Sequence, residues 1–190
     1  MSSTKIAFAM CGSFCTFSKA IPQAQLLKEK GYDIIPIMSQ NASATDTRFG
    51  LAKDFIEKLE KISEKKLINS IKDAEPLGPK NMCDAMVIAP CTGNTFAKLC
   101  NGITDTSVTM AAKSLLRVGK PIILALASND ALGISAQNLG KILNYKNIYV
   151  VPLSQDDVIK KPNSLVADFS KITTAVELAL KGRQLQPIFF

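Results

Sequence analysis

Five short apolar runs alternate along the chain with segments of helical periodicity. The runs span residues 5–10, 32–38, 85–89, 121–127 and 147–151. A strand that is apolar along its whole length is buried on both faces, and the helices that connect parallel strands supply that cover. The pattern therefore predicts a doubly wound α/β domain of the Rossmann or flavodoxin-like type. We expect a parallel sheet of about five strands with helices on both faces.

Helical spacing of apolar residues is found between these runs, and residues 182–190 follow the last of the helical segments. The spacing predicts helices over 14–30, 51–66 and 105–118, a short one ending near Asn101-Gly102, and a last one over 164–181. Residues 73–83 contain two Pro and a Gly without periodicity and are interpreted as a loop or crossover. One domain should span 1–190. The apolar end of 182–190 favours contacts between copies of the chain, with folding back onto its own core as the alternative.

Composition removes several classes of function. The 190 residues carry a formal charge of +7, but Lys and Arg are interspersed with acids, which argues against a nucleic-acid surface. No apolar run approaches the roughly 18 residues of a membrane span. With no His, a Ser-His-Asp triad, a Cys-His pair and a His-containing zinc site are excluded. Five Cys without a Cys-x-x-Cys spacing favour a reducing cytoplasm and no metal.

Small polar residues follow the apolar runs at the ends where ligands bind in such sheets. Ligands lie beyond the carboxyl ends of parallel strands, so topology brings together Gly12, Ser13, Ser39, Thr92, Gly93, Asn94 and Asn129. Residues 11–16 connect a strand to a helix, where backbone N–H groups favour an anion. The alternative is that Gly12 only permits a turn and Ser13 only caps the helix. Without a three-glycine fingerprint or Walker loop, one phosphate fits better than a dinucleotide.

Two turns resemble those of a known family. The run Gly12-Ser13-Phe14-Cys15-Thr16-Phe17-Ser18-Lys19 looks like the Gly-Ser-Ile-Ala-Ala-Tyr-Lys turn of the FMN-binding Cys decarboxylase flavoproteins, and residues 90–95 resemble that family's Pro-Ala-Ser/Thr-Ala-Asn-Thr turn. The resemblance implies an FMN phosphate near Gly12, Ser13 and Ser39, with Thr92 and Asn94 beside the flavin and substrate. The full set of cofactor-binding candidates is Gly12, Ser13, Phe14, Ser39, Thr92, Gly93, Asn94 and Asn129.

A closer resemblance, over nearly the whole chain, is to one branch of that family. It rests on residues 75–79, 89–95, 101–106, 128–130, 151–157, 160–168 and 184–187. It implies an oxidoreductase-type subunit that works beside an NADP-binding partner subunit. The pair would make an aromatic dicarboxylate from a cyclic lysine-pathway intermediate in the mother cell during sporulation. It also implies homo-oligomers.

The sequence departs from the decarboxylase pattern at two places. Pro76 stands at about the position of that family's His, and residues 126–132 keep one Asn but no Met or Trp. Cysteinyl decarboxylation is therefore disfavoured, although an independent FMN-dependent decarboxylase stays an alternative, as does a non-catalytic scaffold for the partner. The phosphate turns are equally suited to a phosphate ion, another nucleotide or part of the partner's cofactor.

Acid or base catalysis must use side chains other than His. The catalytic candidates are Glu75, in the altered loop, and Asp130, after the fourth strand. Lys19 and Asp105 have simpler explanations, as a solvated side chain and a helix cap. Basic residues that are candidate partners for substrate carboxylates, with none preferred, are Lys80, Lys98, Lys113 and Arg117.

Overall fold

The fold is an α/β sandwich with a seven-stranded sheet at its centre. A computed structural model of the chain describes residues 3–190. Its strands are β1 (Lys5–Met10), β2 (Asp33–Met38), β3 (Ala85–Thr92), β4 (Ile122–Ser128), β5 (Ile148–Val150), β6 (Leu153–Asp157) and β7 (Lys161–Ala167). Its helices are α1 (Phe17–Glu29), α2 (Gln40–Ala44), α3 (Ala52–Ser63), α4 (Ile71–Ala74), α5 (Gly93–Cys100), α6 (Ser107–Leu116), α7 (Ala136–Ile142) and α8 (Ile172–Ala179).

The first five strands are parallel, as their apolar sequences predict. The order is β2-β1-β3-β4-β7-β6, and β5 pairs with the first half of β4. The central strands β1, β3 and β4 are buried almost throughout. Helix α1 packs with α3 and α8, while α6 packs with α4 and α5, so helices cover both faces of the sheet. The doubly wound prediction is confirmed.

Two predictions about elements were wrong. The sheet has two strands more than the expected five, because β6 and β7 form an antiparallel hairpin whose second strand pairs with the end of β4. The helix expected over 164–181 is shorter, since its first residues belong to β7 and only Ile172–Ala179 is α-helical. Of the two interpretations of residues 73–83, the crossover holds: they lie in the connection from β2 to β3, which contains the end of α4 and a 3₁₀ turn, Glu75–Leu77. Helix α7 was not anticipated.

Residues 182–190 return to the sheet. The backbone N–H of Leu153 donates to the carbonyl of Ile188 at 2.7 Å, and the N–H of Phe190 donates to the carbonyl of Leu153 at 3.2 Å. The segment thus lies along the free edge of β6, while the rings of Phe189 and Phe190 stay about half exposed. Among residues 3–190, no helix combines the length and the apolar character needed to cross a membrane.

Candidate functional site

A cleft opens at the carboxyl ends of the parallel strands. Its larger part, the main cavity, has a volume of about 910 Å³ and lies between the turns after β1, β3 and β4 and the β6–β7 hairpin. A side cavity of about 610 Å³ adjoins it and contains Ser39. The two share Gly12, Phe14, Thr92 and Asn94, so they form one continuous cleft. The cleft lies at the edge of the sheet where the topology predicts that ligands bind.

The turn after β1 presents Ser13 to the main cavity. The carbonyl of Ser13 accepts hydrogen bonds from the N–H and hydroxyl of Thr16, at 3.0 and 2.7 Å, which closes the turn into α1. The Ser13 side chain makes no capping hydrogen bond to the helix that follows. Its hydroxyl has only a long contact, 4.0 Å, to the Cys15 sulfur, so it can still bind a ligand, and the simpler explanation of Ser13 as a helix cap does not apply.

Ser39 differs from Ser13 in this respect. It is buried at the end of β2, and its side-chain oxygen accepts the N–H of Ala42 at 3.3 Å as the N-cap of α2. The capping bond uses an oxygen lone pair and leaves the hydroxyl proton free to donate. Ser39 therefore has a structural role and can still offer a donor to an anion in the side cavity.

The turn after β3 is fixed by a chain of hydroxyl groups. Thr92 caps α5 by accepting the N–H of Thr95 at 3.2 Å and donates its own hydroxyl proton to the Thr95 hydroxyl at 3.1 Å. Thr95 in turn donates to the Cys11 sulfur at 3.2 Å. Burial raises the pKa of the Cys11 thiol to about 11, so this sulfur is a neutral acceptor at neutral pH. This series of hydrogen bonds connects the ends of β1 and β3 beneath the cavity.

Gly93 and Asn94 follow in the first turn of α5. A Cβ on Gly93 would lie 2.7 Å from the hydroxyl oxygen of Ser128, so glycine allows the turns after β3 and β4 to approach each other. Asn94 is exposed and lines both cavities. Its side chain is therefore accessible from both parts of the cleft.

Asn129 and Asp130 form the wall beyond β4. The Ser128 hydroxyl oxygen accepts the N–H of Asp130 at 3.3 Å, and the Asp130 carboxylate accepts the hydroxyl of Ser135 at 3.1 Å. Ser164 on β7 donates to the carbonyl of Ser128 at 3.2 Å and connects this wall to the hairpin. The predicted residue Asp130 therefore lines the cavity, and hydrogen bonds with Ser128 and Ser135 fix its position.

Comparison with known proteins assigns the chain to a family. The model of the family described as "Flavoprotein" matches residues 1–181. The chain belongs to the flavoprotein family. A curated relative is the B subunit of the dipicolinate synthase of Bacillus subtilis (strain 168), which is 44% identical over 97% of this chain and 92% of its own length. That identity places this flavoprotein in the branch formed by such B subunits.

Solved structures agree with this assignment. The crystal structure of the dipicolinate synthase B subunit from Bacillus halodurans superposes with a TM-score of 0.91 and 40% identity, covering 100% of this flavoprotein and 97% of the other chain. An FMN-dependent cysteine decarboxylase, SpaF, superposes with a TM-score of 0.66 and 22% identity, over 93% of this chain and 97% of its own. At this low identity, the second comparison shows only that the two proteins share a fold.

The flavoprotein cleft does not contain every predicted residue. Glu75 is exposed in the 3₁₀ turn Glu75–Leu77 and lines neither cavity; Gly78, just after it, packs on the backbone of Ser114 in the last turn of α6. Lys98 reaches the side cavity but is paired with Asp105 at 2.8 Å. Hydrogen bonds from its ammonium lower the pKa of that carboxyl. Lys113 and Arg117 line a separate groove.

The structure adds residues that the sequence did not indicate. Asp156, Lys161 and Ser164 reach the main cavity from the hairpin, whose existence was not predicted. Phe49 lies on a tight turn closed by paired hydrogen bonds between Thr47 and Gly50, within a stretch that shows no periodicity. The Lys161 ammonium donates a hydrogen bond to the Asp156 carboxylate, which raises the pKa of that ammonium. Within residues 3–190, no group of three or more Cys, Asp or Glu has a metal-binding arrangement.

Proposed function

We propose that this flavoprotein is the B subunit of a dipicolinate synthase and acts with an NADP-binding A subunit. The observation that carries the proposal is the 44% identity that extends over 97% of the chain. The substrate would be a dihydrodipicolinate-type intermediate of the lysine pathway, used in the mother cell during sporulation. The reaction would take place in the cleft at the carboxyl ends of the strands.

The chemistry of that step suits the cleft. Converting a dihydropyridine dicarboxylate to dipicolinate breaks two bonds to hydrogen, releasing one hydride and one proton. NADP on the A subunit is the proposed hydride acceptor and becomes NADPH. Asp130, a carboxylate on the cavity wall, is the proposed proton acceptor. Because Glu75 lies outside the cleft, Asp130 is the only one of the two candidates that we propose as a catalytic residue.

FMN is the cofactor that we propose for the cleft itself. The uncapped hydroxyl of Ser13, the free proton of Ser39 and the backbone at Gly12 are suited to its phosphate. The ring would lie against Phe14, Thr92, Gly93, Asn94 and Asn129. If bound, the flavin would supply a two-electron relay that passes the substrate's single hydride on to the NADP of the A subunit. Absorbance of the purified chain between roughly 350 and 500 nm, with FMN titration of colourless protein, tests this part.

Joint activity tests the function. This chain and the A subunit, purified separately and then mixed, are expected to form dipicolinate from freshly generated substrate faster than the isolated A subunit does. Asp130→Asn and Asn94→Ala should each lower the joint rate at least about tenfold. Asp54→Asn, on the exposed first turn of α3, is the matched control and should keep the full rate. No gain over the isolated A subunit would reject the proposal. Full activity of both cavity variants would indicate a scaffold.

A further inference from the structure

The carboxylate of Asp130 is held by its own turn. Within the turn from β4 to α7, one carboxylate oxygen accepts the hydroxyl of Ser135 at 3.1 Å, and the backbone N–H donates to Ser128 at 3.3 Å. Across residues 3–190, no Lys or Arg nitrogen lies within 4.0 Å of this carboxylate. A half-buried carboxylate without a cation relies on hydrogen-bond donors to fix its orientation.

Gly133 provides the space for the other carboxylate oxygen. A Cβ at this position would lie 2.2 Å from that oxygen and 3.3 Å from the carboxyl carbon. The backbone N–H of Gly133 also donates to the carbonyl of Asp130 at 3.1 Å. Any side chain at 133 must therefore displace the carboxylate. The N–H of Leu132 donates to the carbonyl of Asn163 at 2.9 Å, which anchors the turn to the hairpin.

From these contacts we infer that Ser135 and Gly133 are positioning residues that fix Asp130 for proton transfer in the cavity. Ser135 holds one oxygen by a hydrogen bond, and Gly133 admits the other by having no side chain. This inference rests on the proposed function, because the proton is the one that leaves the dihydropyridine ring. Neither positioning residue needs to touch the substrate.

Kinetics of the reconstituted enzyme test the hydroxyl. Ser135→Ala is expected to lower kcat by about tenfold, the equivalent of one hydrogen bond to a charged group, while KM changes less than about twofold. Ser135→Thr retains a hydroxyl and should recover most of the rate. The matched control is Ser170→Ala, which removes a Ser-to-Asp hydrogen bond, to Asp168, outside both cavities. A loss in this control equal to that in Ser135→Ala would contradict the inference.

A double-mutant cycle separates positioning from general stability. If Ser135 acts through Asp130, adding Ser135→Ala to Asp130→Asn should cause little further loss of kcat. Additive losses would show that Ser135 acts independently of the carboxylate. Gly133→Ala is the second positioning variant and should also reduce kcat. Its effect too should nearly disappear in the Asp130→Asn background.

Crystal structures distinguish the failure of this inference from the failure of the proposed function. In Ser135→Ala and Gly133→Ala, the Asp130 carboxylate is expected to adopt a different rotamer. A carboxylate that keeps its position in both variants would overturn the positioning roles, whatever the activity. If the carboxylate moves in both variants but the wild type shows no joint activity, the observed geometry stands and the dipicolinate reaction is rejected. The positioning roles then fail as well, because no proton transfer is left for Ser135 and Gly133 to assist.

Discussion

The thiol of Cys11 gives a pH dependence that can be assigned to one residue. Its pKa rises from 9.0 to about 11 in the folded protein because burial penalises the thiolate. The native state therefore holds the proton more tightly. Its contribution to stability is complete below about pH 9 and is lost as the pH rises towards about 11.

The corresponding measurement compares the wild type with Cys11→Ser, whose hydroxyl does not ionise in this range. Between about pH 8 and about pH 10.5, the free energy of unfolding of the wild type should fall by about 2 kcal/mol more than that of the variant. Urea titrations at the two pH values provide both numbers. Equal falls in the two proteins would show that Cys11 does not couple its ionisation to folding.

Gly93 makes a second prediction at a single position. In Gly93→Ala the new Cβ would meet the Ser128 hydroxyl at 2.7 Å, and Ser128 must rotate away from the Asp130 N–H that it now accepts. We expect a loss of about 1–3 kcal/mol in the free energy of unfolding, together with weaker FMN binding. Adding Ser128→Ala should restore most of the stability, because it removes the clashing oxygen. An uncorrected loss in the double variant would show that the close approach is not the cause.

Residue types predicted the cleft better than they predicted the role of each member. Gly12, Ser13, Thr92, Asn94 and Asp130 lie together because strand order fixes where the turns meet. The sequence could not distinguish the uncapped hydroxyl of Ser13 from the capping hydroxyl of Ser39. That difference depends on backbone angles at two similar turns. Nor could it place Glu75, since packing of the neighbouring turn on α6 decides the outcome.

Among the elements, the turn before β3 depends on close packing against α6. A Cβ on Gly78 would lie 1.8 Å from the carbonyl oxygen of Ser114, a backbone atom that cannot rotate away. Gly78→Ala should therefore cost more than about 3 kcal/mol of stability. Gly140→Ala is the matched control: Gly140 is exposed in α7 and a Cβ there meets nothing within 4 Å.

Helix propensity predicts that the control, Gly140→Ala, raises the stability, whereas Gly78→Ala lowers it. Alanine in place of Gly140 should stabilise α7 by up to about 1 kcal/mol. Thermal and urea unfolding of the two variants are therefore expected to shift to opposite sides of the wild type. Similar shifts in both would mean that the contact with Ser114 is not the source of the effect.

The β6–β7 hairpin shows why periodicity failed near the end of the chain. Leu165, Phe169 and Ile172 are spaced for one face of a helix, and this spacing predicted a helix from residue 164. In the structure Leu165 is buried in β7, and Phe169 and Ile172 belong to the following helical segment. The strand forms because its backbone pairs with β4 and β6, a long-range contact that local spacing does not encode. The parallel strands, by contrast, were predictable from apolar content alone.

At the scale of the whole molecule, residues 182–190 leave an apolar surface beside the edge of the sheet. The backbone of Ile188 and Phe190 pairs with Leu153, and the Lys171 ammonium lies 4.4 Å from the centre of the Phe190 ring. Folding back therefore satisfies the backbone but leaves Phe189 and Phe190 with 50% and 59% of their surfaces exposed. Adjacent aromatic rings exposed to this extent favour contact with a second copy of the chain.

Sedimentation velocity tests that contact. The wild type is expected to sediment as a homo-oligomer, and Phe189→Ser/Phe190→Ser should shift it to smaller species because the apolar contact is lost. Val158→Ser/Ile159→Ser, at the hairpin tip, is the matched control: it also removes two exposed apolar side chains and should leave the mass unchanged. The control should lower the free energy of unfolding within one chain by no more than about 0.5 kcal/mol. The tail variant removes two half-buried rings and should lower it by no more than about 2 kcal/mol. A wild type that sediments as a monomer would reject the contact, and a control that dissociates as readily would place it elsewhere on the surface.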